Sequence, residues 1–280
     1  MNSIALCFCV KNCGKYLNNI FSNIELLKKN QGYKVYCIFV YDNCEDNSKN
    51  LLENYQEKNT DSVIIKNIEN NSTLRTVRIA KARNTCLDIV YNELNNITFH
   101  LMIDCDDACS SKWDVGVINN YLNNFDNDDW DCISFNRHIY YDIWALLFDD
   151  FKHHCWGFGY NSEKVMNIMY GNITMKLKNS KTNSMEVISA FNGFAIYRTE
   201  RFKGLYYDGL YSNVKKLITD DERISTLNLF KEKYNLNLDL DENYTQSWRE
   251  RDSCCEHIFY HLSAKKKGCK VKISKFKVIQ

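Results

Sequence analysis

Asp104, Asp106 and Asp107 close the apolar run "HLMIDCDD" (His100–Asp107), placing three carboxylates within four positions. Such a cluster repels itself unless a positive charge sits in it. Asp104-Cys105-Asp106 has the D-x-D form, and where a strand runs into a turn its two carboxylates can converge on one hard cation. Magnesium or manganese bound through oxygen in this way keeps open positions for phosphate oxygens. The alternative is a solvated acidic turn that also caps the next helix. "YDNCEDNS" (Tyr41–Ser48) puts Asp42 at a strand end, as an acceptor for a base or ribose group, and Asp46 where an N-cap would sit. In "RIAKARNTCLDIV" the residues Ile79, Ala80, Arg83, Leu87 and Val90 share one helical stripe. Arg83 therefore interrupts an apolar face, where a guanidinium needs a partner. That partner is either an acidic strand end or a group near the nucleotide.

Positioning these residues requires an alternation of strands and helices. Ile4–Val10, Tyr33–Asp42, Ser62–Ile68 and Ile97–Asp104 read as strands, being short apolar or β-branched runs. Between them lie a helical stripe of Leu17, Ile20, Phe21, Ile24 and Leu27, a helix over Asp46–Tyr55 and another over Thr76–Tyr91. This order predicts an α/β fold, with a mostly parallel Rossmann-like sheet flanked by helices. Ligands of such sheets collect beyond the carboxyl ends of the strands. Val10, Lys11 and Asn12, then Asp42 and Asn43, then Asp104–Asp107 all fall there. In the second half, Asp131–His138 and Met185–Arg198 read as strands, and Asn161–Asn183 as a polar mobile loop. Asp220–Tyr234 reads as a helix, Asn235–Tyr244 as a polar connection and Ser253–Lys267 as the last helix. No linker, repeat or charge block divides the chain. One domain is expected, with a nucleotide-binding half at 1–107 and a half for donor sugar and acceptor at 108–280.

Composition removes several classes of function. Lys+Arg 36 against Asp+Glu 35 gives net charge +1, which offers no global attraction to nucleic acid. The one basic concentration is the Lys265–Lys277 stretch, which also suits a solvated helix end and edge strand. No apolar run is long enough to span a bilayer, and the N-terminus lacks a basic start and a small-residue cleavage site. A soluble, cytoplasmic protein is expected. The 13 cysteines contain no C-x-x-C pair, which favours buried thiols over a zinc ribbon or a disulfide framework.

The ordered set formed by a short apolar first strand, "YDNCEDN", "AKARN" and "LMIDCDD" resembles glycosyltransferases of the GT-A fold. It spans Ile4 to Asp107, and Cys44-Glu45 replaces the usual small residues of the acidic turn. "YYDIWAL", "FNGFAIYR" and "CCEHIFYHL" are more loosely similar to blocks in fungal capsule-associated α-1,3-mannosyltransferases. The resemblance implies that Tyr141, Asp142 and Trp144 line a donor-sugar pocket and that Asn192-Gly193 brings backbone close to the sugar. Read from the residues alone, Asp142 suits a sugar hydroxyl, whereas Trp144 suits a core equally well.

Glu256 has two readings. Ser253 and Glu256 have the spacing of a capping box, with Gly268 ending the helix. The resemblance makes Glu256 the acid residue facing the donor, either as base on the acceptor hydroxyl or as its anchor. With Asp142 it is one of two candidate catalytic carboxylates. His261, or its neighbour His257, is the candidate third metal ligand beside Asp104 and Asp106. The implied activity is transfer of a sugar from a UDP- or GDP-sugar to a hydroxyl of a glycan or other acceptor, with Mn2+ or Mg2+ as cofactor. No oligomeric state and no nucleic-acid partner are implied. Two alternatives remain: a sugar nucleotidyltransferase, which wants a glycine-rich loop where "CVKNCGKY" has only Gly14, and an inactive GT-A sugar-binding module.

Overall fold

The computed structural model describes residues 2–30, 32–125, 129–241, 245 and 250–280. The first half runs β1 (Ser3–Val10), α1 (Gly14–Lys29), β2 (Lys34–Tyr41), α2 (Ser48–Glu57), β3 (Val63–Asn67), α3 (Arg75–Asp88) and β4 (Ile97–Asp104). It continues with α4 (Asp107–Ser110), α5 (Val115–Asn123), β5 (Cys132–Asn136), α6 (Ser162–Asn179), β6 (Ser184–Val187) and β7 (Phe194–Arg198). The chain ends with α7 (Thr199–Phe202), α8 (Tyr211–Val214), α9 (Asp220–Tyr234), α10 (Glu256–Lys266) and β8 (Val271–Lys277).

All eight strands join one sheet in the order β3-β2-β1-β4-β7-β5-β8-β6. The first four are parallel, β7 is antiparallel to both its neighbours, β5 and β8 are parallel, and β6 is antiparallel. The expected α/β architecture, a mostly parallel sheet flanked by helices, is the one observed. Alternation along β1 sorts its side chains between two cores. Ile4, Leu6 and Phe8 pack with Leu17, Ile20, Ile24 and Leu27 of α1. The smaller Ala5 and Cys7 face the other way, towards Ala80, Cys86 and Leu87 of α3. Each fully buried Leu or Ile of α1 contributes about 1.5–3 kcal/mol.

The topology also places the site. The chain leaves β1 for β2 and β3 on one side, then returns to β4 on the other, so winding reverses between β1 and β4. A crevice opens beyond the carboxyl ends of two adjacent strands where this happens. Cys9 lies opposite Asp104 in that register. Because β7 runs antiparallel, its starting residues reach the same end, with Phe194 opposite Ile103.

Three expectations about the second half are corrected. Asn161–Asn183 is a helix over most of its length, α6, which buries Val165, Met169, Ile173 and Leu177 along one stripe. Met185–Arg198 is two strands, β6 and β7, separated in the sheet by β5 and β8. The last helix starts at Glu256, and Gly268 follows it at φ 75° as expected. Of the Asn235–Tyr244 connection, residues 242–244 lie outside the described residues. None of the 13 cysteines is disulfide-bonded, and eleven are buried. Among the described residues no helix is long and apolar enough to cross a membrane.

Candidate active site

The turn after β1 is tied to the turn after β2. Lys11 Nζ donates to Asn43 O at 2.7 Å, and Glu45 N donates to Asn12 Oδ1 at 2.8 Å. Gly14 N donates to Asp46 Oδ2 at 2.8 Å, and a Cβ at Gly14 would collide with Asn47 Oδ1. The one glycine of "CVKNCGKY" thus permits close packing of two turns. Asp46 accepts from Ser48 N through Oδ1, so it does the capping work expected of it although Asn47 is the N-cap residue. These contacts bring Asp42 beside Val10 and Lys11 on the wall of a cavity of about 450 Å³.

Opposite that wall lies a buried ion triad. Arg83 Nε donates to Glu256 Oε1 at 2.9 Å, and Nη2 donates to Asp104 Oδ1 at 3.1 Å. Only 6% of the Arg83 side chain and 7% of the Glu256 side chain are exposed, so neither charge has water as an alternative partner. Burial works against the guanidinium, but Glu256 and Asp104 outweigh it and keep Arg83 charged. The guanidinium carbon lies 4.6 Å from the Phe191 ring, which stacks on His257 at 3.7 Å. Glu256 is therefore not in a capping box: Cys255 is the N-cap and makes no side-chain cap bond. The partner that Arg83 demanded is an acidic strand end and Glu256 together.

Asp104 is also held on its other sides. Tyr141 Oη donates to its Oδ2 at 3.2 Å, and its own N–H donates to Gly193 O at 2.9 Å. Burial raises the Asp104 carboxyl above its ordinary range despite Arg83. Asp106 lies open at the cavity mouth and uses Oδ1 to accept from Ala108 N at 3.0 Å. Its surroundings and the charge on Asp104 push it up to about 6. Asp104 and Asp106 thus lie close enough for one charge to raise the other, while the guanidinium bonds Asp104 and Glu256, so the acidic turn keeps uncompensated negative charge.

Asn192 and Gly193 do not line the cavity. Both have positive φ, 58° and 87°, and a Cβ at Gly193 would meet Tyr141 Oη at 2.7 Å. Asn192 Oδ1 accepts from the N–H groups of Tyr141 and Asp142 at 3.2 and 3.4 Å, and Asn192 N donates to Asp142 Oδ2 at 3.3 Å. The pair holds the Tyr141–Trp144 segment against the D-x-D strand, and Tyr141, Asp142 and Trp144 themselves face the cavity. Burial, then the charges of Asp104 and Glu256, push the Asp142 carboxyl up to about 7.

That shift has a stability consequence. Between its ordinary value near 4 and about 7 the folded state holds the extra proton, so stability falls as pH rises through this window and is flat above it. Asp142→Asn removes the slope. The melting temperature of the variant relative to wild type is expected to be about 5 °C more favourable at pH 8 than at pH 5. Thermal scans at both pH values check this, and a difference independent of pH would refute it.

His261, expected as a third metal ligand, is not brought to the site. It is fully buried, with Nδ1 on Ser189 Oγ at 2.9 Å and Nε2 on Tyr197 Oη at 3.1 Å. Burial and the Arg83 charge push its pKa down to about 3, so it is a neutral core residue. Among the described residues no group of three or more His, Cys, Asp or Glu side chains is placed to hold a metal. Sequence reasoning passed over Arg75 and Arg78, which share the cavity-facing side of α3 with Ile79, Ala82 and Arg83. Their spacing is that of one helix face and was legible. His257 also lines the cavity, 1% exposed and, among the described residues, with no hydrogen-bond partner on either ring nitrogen. A larger hollow of about 830 Å³ sits at the opposite end of the sheet, by Asn2, Ile97 and Arg201, away from the paired carboxylates.

A scan against protein-family models and a search of curated proteins both give no match. Among solved structures, the chain is similar to S. aureus TarS 1-349 in complex with UDP-GlcNAc, at 14% identity and TM-score 0.49, over 99% of this chain and 57% of that one. It is also similar to the mannosyltransferase PcManGT from Pyrobaculum calidifontis in complex with GDP-Man and Mn2+, at 12% identity and TM-score 0.41, over 73% and 47%. M. tuberculosis glucosyl-3-phosphoglycerate synthase gives 9% identity and TM-score 0.41, over 73% and 60%. The chain thus spans less than two thirds of the length of each of these structures, and all three likenesses are loose.

Proposed function

We propose that the protein is a metal-dependent glycosyltransferase, moving a sugar from a UDP- or GDP-sugar to a hydroxyl of a glycan or other acceptor. The observation that carries this reading is the convergence of Asp104, Asp106, Asp42 and Arg83 on one cavity at the winding reversal of the sheet. Mn2+ or Mg2+ suits the donor set. Asp106 leaves one oxygen uncommitted, Asp104 lies beside it, and two protein carboxylates leave coordination positions for phosphate and water. When bound, such an ion supplies charge neutralisation to a leaving diphosphate.

The chain's own residues account for the rest. Val10, Lys11 and Asn12 with Asp42 hold the base and ribose, and Arg75 and Arg78 face the phosphates. Tyr141 and Trp144 bound the sugar, and His257, whose ring nitrogens make no hydrogen bond among the described residues, offers it one. Transfer forms a bond from the acceptor oxygen to the sugar C1, breaks the bond from C1 to phosphate and releases the acceptor proton. Asp142 receives that proton, because a carboxyl raised to about 7 is poised for it near neutral pH. Glu256, with Oε1 on Arg83, positions the guanidinium that steadies Asp104. Asp142→Asn is expected to lower kcat by about 10²–10⁴, and Glu256→Gln, which keeps a hydrogen bond to Arg83, by roughly tenfold. Steady-state transfer or donor hydrolysis measures both, and the reverse order would exchange the two roles.

The reading is tested by thermal shift and by a donor screen. Manganese with a UDP- or GDP-sugar should raise the melting temperature, and donor hydrolysis should depend on manganese. A response to nucleoside triphosphate with sugar phosphate, and none to nucleotide sugars, would replace it with a nucleotidyltransferase.

A further inference from the structure

A second groove, of about 350 Å³, runs beside the cavity between the end of β5, α6 and the end of β8. Arg137, His138, Lys178, Lys275 and Lys277 line it, together with Tyr170, and no Asp or Glu does. In a chain of net charge +1 this is a local concentration of like charge. Other lysines are paired: Lys176 with Asp150, Lys265 with Asp149, Lys270 with Asp129. Arg137, Lys178, Lys275 and Lys277 make no ion pair among the described residues. Lys178, Lys277 and His138 are exposed, whereas Lys275 is half-buried and donates to Ser180 O.

The groove and the cavity share a wall. Tyr140 faces the groove, while Tyr141 and Asp142 face the cavity. Arg137 links the two: its guanidinium lies 5.2 Å from the Tyr141 ring and donates to Ala108 O, just past the acidic turn. A ligand held in the groove therefore lies against the segment that carries Asp142 on its other side. The volume suits one or two sugar units rather than a polymer track.

We propose that this groove binds the anionic part of the acceptor, a sugar bearing phosphate or carboxylate whose hydroxyl is presented to Asp142. The proposal deepens the transferase reading and rests on it. The groove's cations supply the counter-charge that such an acceptor needs beside a donor that is itself a diphosphate.

Calorimetry in EDTA at low salt tests it, with inorganic tripolyphosphate as the charge probe and mannose 6-phosphate, glucuronic acid and mannose as sugar probes. Lys178→Glu/Lys277→Glu alters two exposed side chains and leaves the fold alone. Expected are binding of tripolyphosphate, stronger binding of a charged sugar than of mannose, and at least a tenfold loss of anion affinity in the double variant. The relative affinities of mannose 6-phosphate and glucuronic acid tell phosphate from carboxylate. No anion binding, or equal affinity in wild type and variant, overturns the proposal. A single-stranded oligonucleotide binding at least tenfold more tightly than tripolyphosphate overturns it in favour of a nucleic-acid surface. The manganese and nucleotide-sugar thermal shift of the wild type is read separately. Its absence with anion binding intact sinks the transferase reading and, with it, the acceptor assignment, leaving an anion site.

Discussion

Arg83→Met is expected to lower the stability of the protein by about 3–5 kcal/mol, because it strands the buried Glu256 carboxylate and removes the cation from the half-buried Asp104. Methionine retains most of the packing volume against Phe191, so the loss reports charge rather than a cavity. For a chain of this size that is a fall in melting temperature of roughly 6–15 °C. Urea titration monitored by tryptophan fluorescence measures it. The deficit should shrink as pH falls, since burial raises the Asp104 carboxyl and its protonation removes a charge left without its cation. Arg83→Lys should do little better than methionine: two nitrogens of the guanidinium serve two carboxylates, and one ammonium does not reproduce that fork. The double variant Arg83→Met/Glu256→Met should recover part of the loss, because one stranded carboxylate goes with its partner. If the single and double variants were equally unstable, the triad would not be the source.

Asp106→Asn is expected to abolish the manganese-dependent shift with a UDP- or GDP-sugar and to cut transfer by about 10³-fold or more, with little change in stability. The contrast with Arg83 follows from position. Asp106 lies open at the cavity mouth, and its one structural duty is to accept from Ala108 N, which the asparagine oxygen still does. Alanine at the same position would also lose that cap, worth about 1 kcal/mol, so asparagine is the cleaner probe. Titration of nucleotide sugar with and without manganese, followed by melting temperature, reads the effect. An undiminished shift in the variant would remove Asp106 from the metal site and leave the assignment of the acidic turn without its main support.

Where the local signal was strong and tertiary demands agreed with it, the sequence was sufficient. Ile97–Asp104 and Asp220–Tyr234 have the bounds expected of them, and the three polar clusters after β1, β2 and β4 do meet at one end of the sheet. Alternation of strand and helix forces that meeting, since parallel strands all end on the same side. The stripe of α6 was also present in the sequence, four residues apart at Val165, Met169, Ile173 and Leu177, but the surrounding asparagines and lysines masked it. Burial of that stripe outweighs the weak helix propensity of its polar neighbours.

Other features had no local signature. Glu256 had a complete explanation within its own helix and went instead to Arg83, 173 residues away, because a buried guanidinium is costlier to leave unpaired than a helix start. Asn192-Gly193 holds Tyr141 and Asp142 in place, a task that only the packing of β7 beside β4 creates. His261 matched a metal ligand by type and by place in the chain, but the face of α10 that carries it turns into the core. By itself the sequence determined which elements form and at which end of the sheet the charged residues gather, because periodicity and chain direction are local properties. Only the tertiary structure decided which carboxylates pair with the buried Arg83 and which side chains reach the cavity, because the cost of burying a charge depends on everything packed around it.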